Sequence, residues 1–405
     1  MGKKKKKIQQ LPQGAYKKYL NDLQQTLQIM GLDYKIADLP NEMKHMLFDY
    51  KIIINNPVIC NDGISRKELQ VITEKEQYYY RHGLNELNDY KLSTYQLHLF
   101  YCFIAVKRRF KEYQIKDKND IEVLDYKDAS DKAFQSFINV FTINYYNIIT
   151  QLCSPDYKYF TVLIRPAAIL KENPKMELVI ELYGFPAHRC MLNIHGIYRP
   201  AFRMAKPLGN AHLIEWLSVD RSLAGDFYTG DRDNLEVYIQ SHALHRLSER
   251  IDLLGKEALN YVLWKNTSLE FQFIRYRNYL LLPFSVHEIK VGYLVANIVD
   301  DKLLFSTFLF ITHNCTPEGD RLKKITGLTK QEICYWKIDR LSTFMKLNEE
   351  KYPGLIKLFD DAGLGDLKEL RHKELDIDSL QDGNFDDLVT YMSKSNSKPR
   401  SYVVS

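Results

Sequence analysis

The chain has 405 residues, 45% hydrophobic and 26% charged, which predicts real cores and two or three domains. No apolar run reaches the roughly 18 residues a membrane helix needs, so no membrane partner is expected. Lys3, Lys4, Lys5, Lys6 and Lys7 account for the whole formal net charge of +5, so the remaining chain is neutral and its basic character is a property of the tail. Such a tail either holds a polyanion through salt-sensitive contacts or simply solubilises the chain. The opening MGKKKKK lacks the apolar segment of a secretory signal, and Lys6 stands where a myristoylation motif after Gly2 wants Ser or Thr. The expectation is a cytoplasmic protein. Six cysteines are scattered as singles, which excludes CxxC zinc and redox motifs and suggests buried thiols in a reducing compartment. The abundance of Tyr, Lys, Ile and Asn suggests an AT-rich bacterial genome.

The first 150 residues read as a mainly helical domain. In AYKKYLNDLQQTLQIM, the residues Tyr19, Leu20, Leu23, Leu27 and Met30 form a helical stripe. Residues 97–106 lie in a strongly apolar segment and predict a buried helix. A further helix is expected in ASDKAFQSFINVFTINYYNIITQL, with Ser130 as N-cap and an end at Cys153-Ser154-Pro155-Asp156. Four short β-rich segments follow, KYFTVLIRP, MELVIELYG, CMLNIHGIYR and AHLIEWLSVD, and predict an antiparallel meander and linker over 151–234.

The segment 235–345 reads as one α+β module. LEVYIQ is a strand, SHALHRLSERIDLL a helix ended by Gly255, and KEALNYVLWKN a second helix. SLEFQFIRYRNYLLLPF is expected as a single strand. KVGYLVANIV and KLLFSTFLFIT predict a hairpin around Asp300-Asp301, with a helical stretch after HNCTPEG. Residues 346–405 are expected to form an acidic helical or disordered tail. Its DIDSLQDGNFDD resembles a calcium loop, but Leu380 occupies a ligand position and the Gly comes too late.

On a helix beginning at position 242, Leu244, Leu247, Ile251 and Leu254 share one sector. His242, Arg246, Glu249 and Arg250 lie opposite, with His245 at the edge. The face is either solvated, with local ion pairs, or a phosphate-handling site. Ser241 is the expected N-cap. A first-turn His242 is disfavoured as imidazolium by the helix dipole and can serve as a base. Arg246 and Arg250 follow one and two turns on as guanidinium clamps, with Glu249 placed to orient Arg246 or His245. Strand parity puts Arg275 and Arg277 on one face, and these two with His245 are the candidate substrate-binding residues.

The run Ser241, His242, Ala243, Arg246, Arg250, Ile251, then a helix from Lys256 and three antiparallel strands ending in LLFSTFLFIT, resembles the small bacterial RelE- and BrnT-type toxin domains. The resemblance covers about residues 237–315. It implies a compact RelE-like ribonuclease-type α/β module that cleaves RNA without a metal, with His242 as base or acid and Arg246 and Arg250 on the phosphate. Two constellations have simpler readings. His313, Cys315 and Glu318 suggest a cysteine nucleophile, but Thr316-Pro317 also reads as a helix cap followed by a first-position proline. His188 and His195, seven apart on strands, fix no shared metal site. No P-loop, GxGxxG, GxSxG or HExxH occurs.

The expected fold class is therefore α+β, with a helical N-terminal region, an antiparallel meander, and a RelE-like module bearing an acidic tail. The expected function is metal-independent, cofactor-free RNA cleavage by a toxin-like bacterial protein. The alternative is a noncatalytic nucleic-acid- or protein-binding module of a mobile-element or defence system. Residues 359–405 are a candidate built-in inhibitor by charge.

Overall fold

A computed structural model describes residues 13–49, 51–87, 90–107, 126–169, 175–207, 212–268 and 270–373. The fold is α+β and divides into two units. One comprises Met1–Ile149, Thr161–Gly184 and Leu208–Leu213; the other comprises Thr150–Phe160, Phe185–Pro207 and Ile214–Ser405.

The first unit is built on the helices Gln13–Ile29, Asn41–Asp49, Arg66–His82, Thr94–Lys107 and Tyr126–Leu152. The stripe Tyr19, Leu23, Leu27, Met30 is buried against Leu97, Leu99, Phe100 and Phe103, so the Thr94–Lys107 helix is core on nearly every side, as its sequence implies. The helix Tyr126–Leu152 starts before Ser130, which lies inside it rather than capping it. The strands Lys158–Ile169 and Lys175–Pro186 pair with each other, and the short strands Ile53–Ile54 and Val58–Ile59 join Lys175–Pro186 in parallel.

The second unit centres on an eight-stranded sheet. Its order is Ile274–Tyr276, Tyr279–Val286, Ile289–Val299, Lys302–Phe310, Asn234–Gln240, Ile197–Arg203 and Arg189–Ile194, with Ser218–Asp220 also pairing Asn234–Gln240. All these pairings are antiparallel except one: Asn234–Gln240 runs parallel to Lys302–Phe310, with Ile239 level with Phe305. A parallel neighbour needs a long crossover. Here it contains the helices Ser241–Arg250 and Lys256–Thr267 and two hairpins. A third hairpin joins Ile289–Val299 to Lys302–Phe310 and turns at Asp300 and Asp301, both with positive φ, as the tight-turn reading requires.

Three expectations are corrected here. The meander over 151–234 is not one body: its first two strands lie largely in the first unit, and its later strands extend the sheet of the second. Periodicity identifies a strand without naming its neighbour. The module does not stop at 345, because Leu355, Leu358, Phe359, Leu364, Leu367 and Leu370 share one core with Leu247 and Ile251. Removing 359–405 as an acidic mask would therefore remove core. The DIDSLQDGNFDD stretch lies outside the described residues. Finally, the single strand expected around Arg275 is a hairpin. Arg277 sits in its turn at φ 52, so strand parity no longer relates it to Arg275.

Among the described residues no helix is long and apolar enough to cross a membrane. In the first unit one buried acid stands apart. Glu76 is 9% exposed, and burial pushes its carboxyl up to about 7. Its charge also helps raise the buried hydroxyls of Tyr80 and Tyr145. A folded-state value above the ordinary 4.5 means stability is greatest at low pH and falls as pH rises from 4.5 to about 7. Glu76→Gln should abolish that slope and stabilise the protein at pH 8 by about 3 kcal/mol, read from urea unfolding at pH 5 and pH 8. An unchanged slope would remove Glu76 as its source.

Candidate functional site

The helix Ser241–Arg250 leaves the C-terminal end of the central strand Asn234–Gln240 directly. Ala243, Leu247 and Ile251 are buried in the sheet core, which fixes the rotation of the helix. His242 and His245 are exposed and Arg246 is half-buried. The capping position is taken by Gln240, without a side-chain cap, and Ser241 is the first helical residue.

The two arginines of this helix have different surroundings. Arg246 Nη1 donates to Glu249 Oε2 at 2.6 Å, and both side chains are partly exposed. Arg250 is 12% exposed and pairs with Asp339, itself 9% exposed. Burial raises the Asp339 carboxyl, opposed by the Arg250 charge. Glu249 is also reached by Arg340 at 3.4 Å and Arg250 at 4.0 Å. Just beyond the helix, Asp252 accepts from the Ser342 backbone N–H at 2.9 Å and the Ser342 hydroxyl at 2.6 Å. An exposed ion pair three residues apart is worth a few tenths of a kcal/mol, whereas breaking a buried pair costs about 3–5 kcal/mol. A phosphate can therefore recruit Arg246 but not Arg250, which anchors the helix to the 339–342 segment.

His313 lies near enough to Arg250 and Arg246 for their charges to act on it. The strand Lys302–Phe310 ends just before it, and Cys315 N donates to His313 Nδ1 at 3.2 Å. That bond makes Nδ1 an acceptor, so the neutral ring carries its proton on Nε2. Burial, then the charges of Lys330 and Arg250, push His313 down to about 4, and Arg246 adds to the shift. His242 is also lowered, first by burial and then by Arg246 and Arg199. The Arg246 charge thus acts on two imidazoles that are neutral at pH 7.

Arg275 and Arg277 do not complete this set. Arg275 pairs with Asp226 at 3.1 Å across Gly225, whose φ is +52 and where an added Cβ would meet the guanidinium. Arg277 pairs with Asp320 at 2.5 Å, and Tyr276 donates to the same carboxylate. The cysteine-nucleophile reading is not assembled either. Thr316 caps the helix Pro317–Thr326, accepting from Gly319 N at 3.0 Å, so the cap-and-proline reading holds. Glu318 turns away, accepting from Tyr293 at 2.9 Å and pairing with Lys290 at 2.8 Å. The Cys315 thiol acts instead on Tyr279, whose hydroxyl it holds above its ordinary value. His188 stands beside Trp216, His195 occupies a tight turn, and the described residues contain no group of three potential metal ligands. A groove of about 800 Å³ lies elsewhere, between the Lys256–Thr267 helix and the Tyr279–Val286 strand, and includes Tyr261, Lys265, Asn266 and Glu288.

No protein-family model matches the chain, and no curated protein or solved structure shows significant similarity to it.

The difference between the two arginines is measurable. Arg250→Ala should destabilise the protein by about 3–5 kcal/mol and Arg246→Ala by under about 1 kcal/mol in urea unfolding. Equal losses would contradict the division into buried anchor and partly exposed cation.

Proposed function

We propose that the second unit engages a phosphodiester of RNA on its His242–Arg246 face and cleaves it without a metal, as a toxin-like bacterial protein. The observation carrying this reading is the single guanidinium acting on two neutral imidazoles. Cleavage by the 2′-hydroxyl needs a base, a cation for the phosphorane and a proton donor for the leaving oxygen. In this reading neutral His242 accepts the 2′-hydroxyl proton. Arg246 leaves Glu249 to hold the non-bridging oxygens; neutral His313 offers Nε2–H as a hydrogen bond to the leaving oxygen, which takes its proton from water, and the proton held by His242 returns to solvent. His245 extends the same face along the RNA. The strand–helix–helix–hairpin order across 234–310 accords with the RelE- and BrnT-type resemblance, and supports the reading without the family being shown.

A second reading, a noncatalytic nucleic-acid- or protein-binding module of a mobile-element or defence system, draws on a different observation. Glu249 stands beside Arg246, and an acid there opposes phosphorane charge.

One experiment separates them: cleavage and binding of mixed-sequence RNA in EDTA by wild type and by His242→Ala, Arg246→Ala and His313→Ala. Metal-free cleavage should appear in wild type and fall at least tenfold in each variant. Binding without cleavage, weakened by Arg246→Ala, would establish the binding module instead, and neither activity would end both nucleic-acid readings. The lowered base also sets a pH signature. The acidic limb of cleavage should lie below 6.5 and move upwards in Arg246→Ala, because removing a neighbouring cation eases protonation of His242.

A further inference from the structure

We infer that the edge strand Arg189–Ile194 pairs antiparallel with the same strand of a second copy of this chain, joining two eight-stranded sheets. The two edges of the sheet are treated differently. At the far edge, the outer side of the strand Tyr279–Val286 has a partner only over Tyr279–Leu281. Beyond that point Pro283 offers no N–H. The Asn266 side chain accepts from Ser285 N at 2.7 Å and donates to Ser285 O at 2.8 Å. Proline and a side chain occupying the ladder positions are means by which proteins block unwanted strand addition.

The Arg189–Ile194 edge has no such device. Its hairpin turns at His195 and Gly196, with φ 51 and 82, so Ile194 and Ile197 close a two-residue turn as a hydrogen-bonded pair. The bond from Arg203 N to His188 O at 2.9 Å confirms the phase: even-numbered residues bond inwards. The N–H and C=O groups of Arg189, Met191 and Asn193 therefore point outwards. No further strand pairs with them among the described residues. The strand carries no Lys, Pro, Asp or Glu. Met191 is 47% exposed and Tyr198, on the neighbouring strand, 67% exposed.

These outward groups define a register that suits a twofold axis. With Met191 opposite Met191 of the second copy, Arg189 falls opposite Asn193 at both ends. All three outward residues then exchange bonds, about six in total, against about four if the axis passes through Leu192. The arginines are carried to opposite ends, so no like charges face each other. Met191 meets its own copy, with Tyr198 beside it on the same face. Self-complementarity of sequence, charge and hydrogen-bond phase selects a second copy over an unrelated strand.

The test is the mass of the full chain in solution across a micromolar concentration series, with amide hydrogen exchange on the same samples. Twice the chain mass is expected, with the amides of Arg189, Met191 and Asn193 protected at high concentration and exchanging freely on dilution. Met191→Lys, which sets two ammonium groups face to face, should return the chain to a monomer, whereas Met191→Leu should not. A monomeric wild type at every concentration would overturn the inference. So would a dimer that survives Met191→Lys, or one whose three amides exchange freely. The exchange data on wild type decide the matter even if the lysine variant does not fold. None of these outcomes depends on RNA cleavage.

Discussion

The parallel pairing of Asn234–Gln240 with Lys302–Phe310 organises the second unit. Antiparallel neighbours finish at opposite ends of a sheet, and parallel neighbours finish at the same end. The segments after 240 and after 310 therefore leave towards the same end of the sheet, with Lys302–Phe310 running on past Gln240. The helix bearing His242 and Arg246 starts from the first strand, and the loop bearing His313 starts from the second. Ligands in open α/β sheets gather outside the carboxyl ends of parallel strands for the same geometric reason. Among the described residues this sheet has one such pair, and the helix bearing His242 and Arg246 starts at its end.

Holding that cluster open depends on how charge is distributed between buried and exposed positions. The crossover helix is fixed below by Ala243, Leu247 and Ile251 and at its end by Arg250 with Asp339 and Asp252 with Ser342. A buried pair tolerates loss of neither partner, so this end cannot also be a binding end. Arg246 lies one turn earlier, where solvent weakens its bond to Glu249. The same helix thus supplies an anchor and a mobile cation, and their separation follows from burial rather than residue type. The C-terminal helices belong to the anchor. Their apolar residues, from Leu341 to Leu370, extend the core under the segment that carries Asp339.

Local periodicity made much of this legible. The stripe of Leu23 and Leu27, the apolar Thr94–Lys107 helix, the amphipathic face with Leu247 and Ile251 inward, the Asp300-Asp301 turn and the Thr316-Pro317 cap are all properties of short segments. What escaped the sequence is non-local or depends on one dihedral angle. Nothing in spacing joins His313 to Arg246 or Asp339 to Arg250, because the sheet, not the intervening chain, sets those neighbours. Arg275 and Arg277 share a face only if the backbone stays extended, and the positive φ of Arg277 breaks that parity. Ser241 has the right chemistry for a cap, but the strand continues to Gln240, and the helix begins one residue earlier than a serine cap needs.

If the His242–Arg246 face takes a phosphate as proposed, its neutral histidines tie binding to protons. Partial desolvation at the exposed His242 and enclosure at His313 lower both rings, and surrounding cations, Arg246 among them, lower them further. A phosphate on Arg246 reverses the sign of the local field and draws both rings towards protonation. A proton on His242 strengthens binding but removes the base, whereas a proton on His313 strengthens binding and improves the donor. The two rings differ in how far they resist. His242 is exposed in the first turn of its helix, while His313 is enclosed and keeps Nδ1 as an acceptor from the Cys315 backbone. On the proposed reading, phosphate would shift the exposed ring more readily, and such a site would bind its anion best at a lower pH than the one at which its base is free.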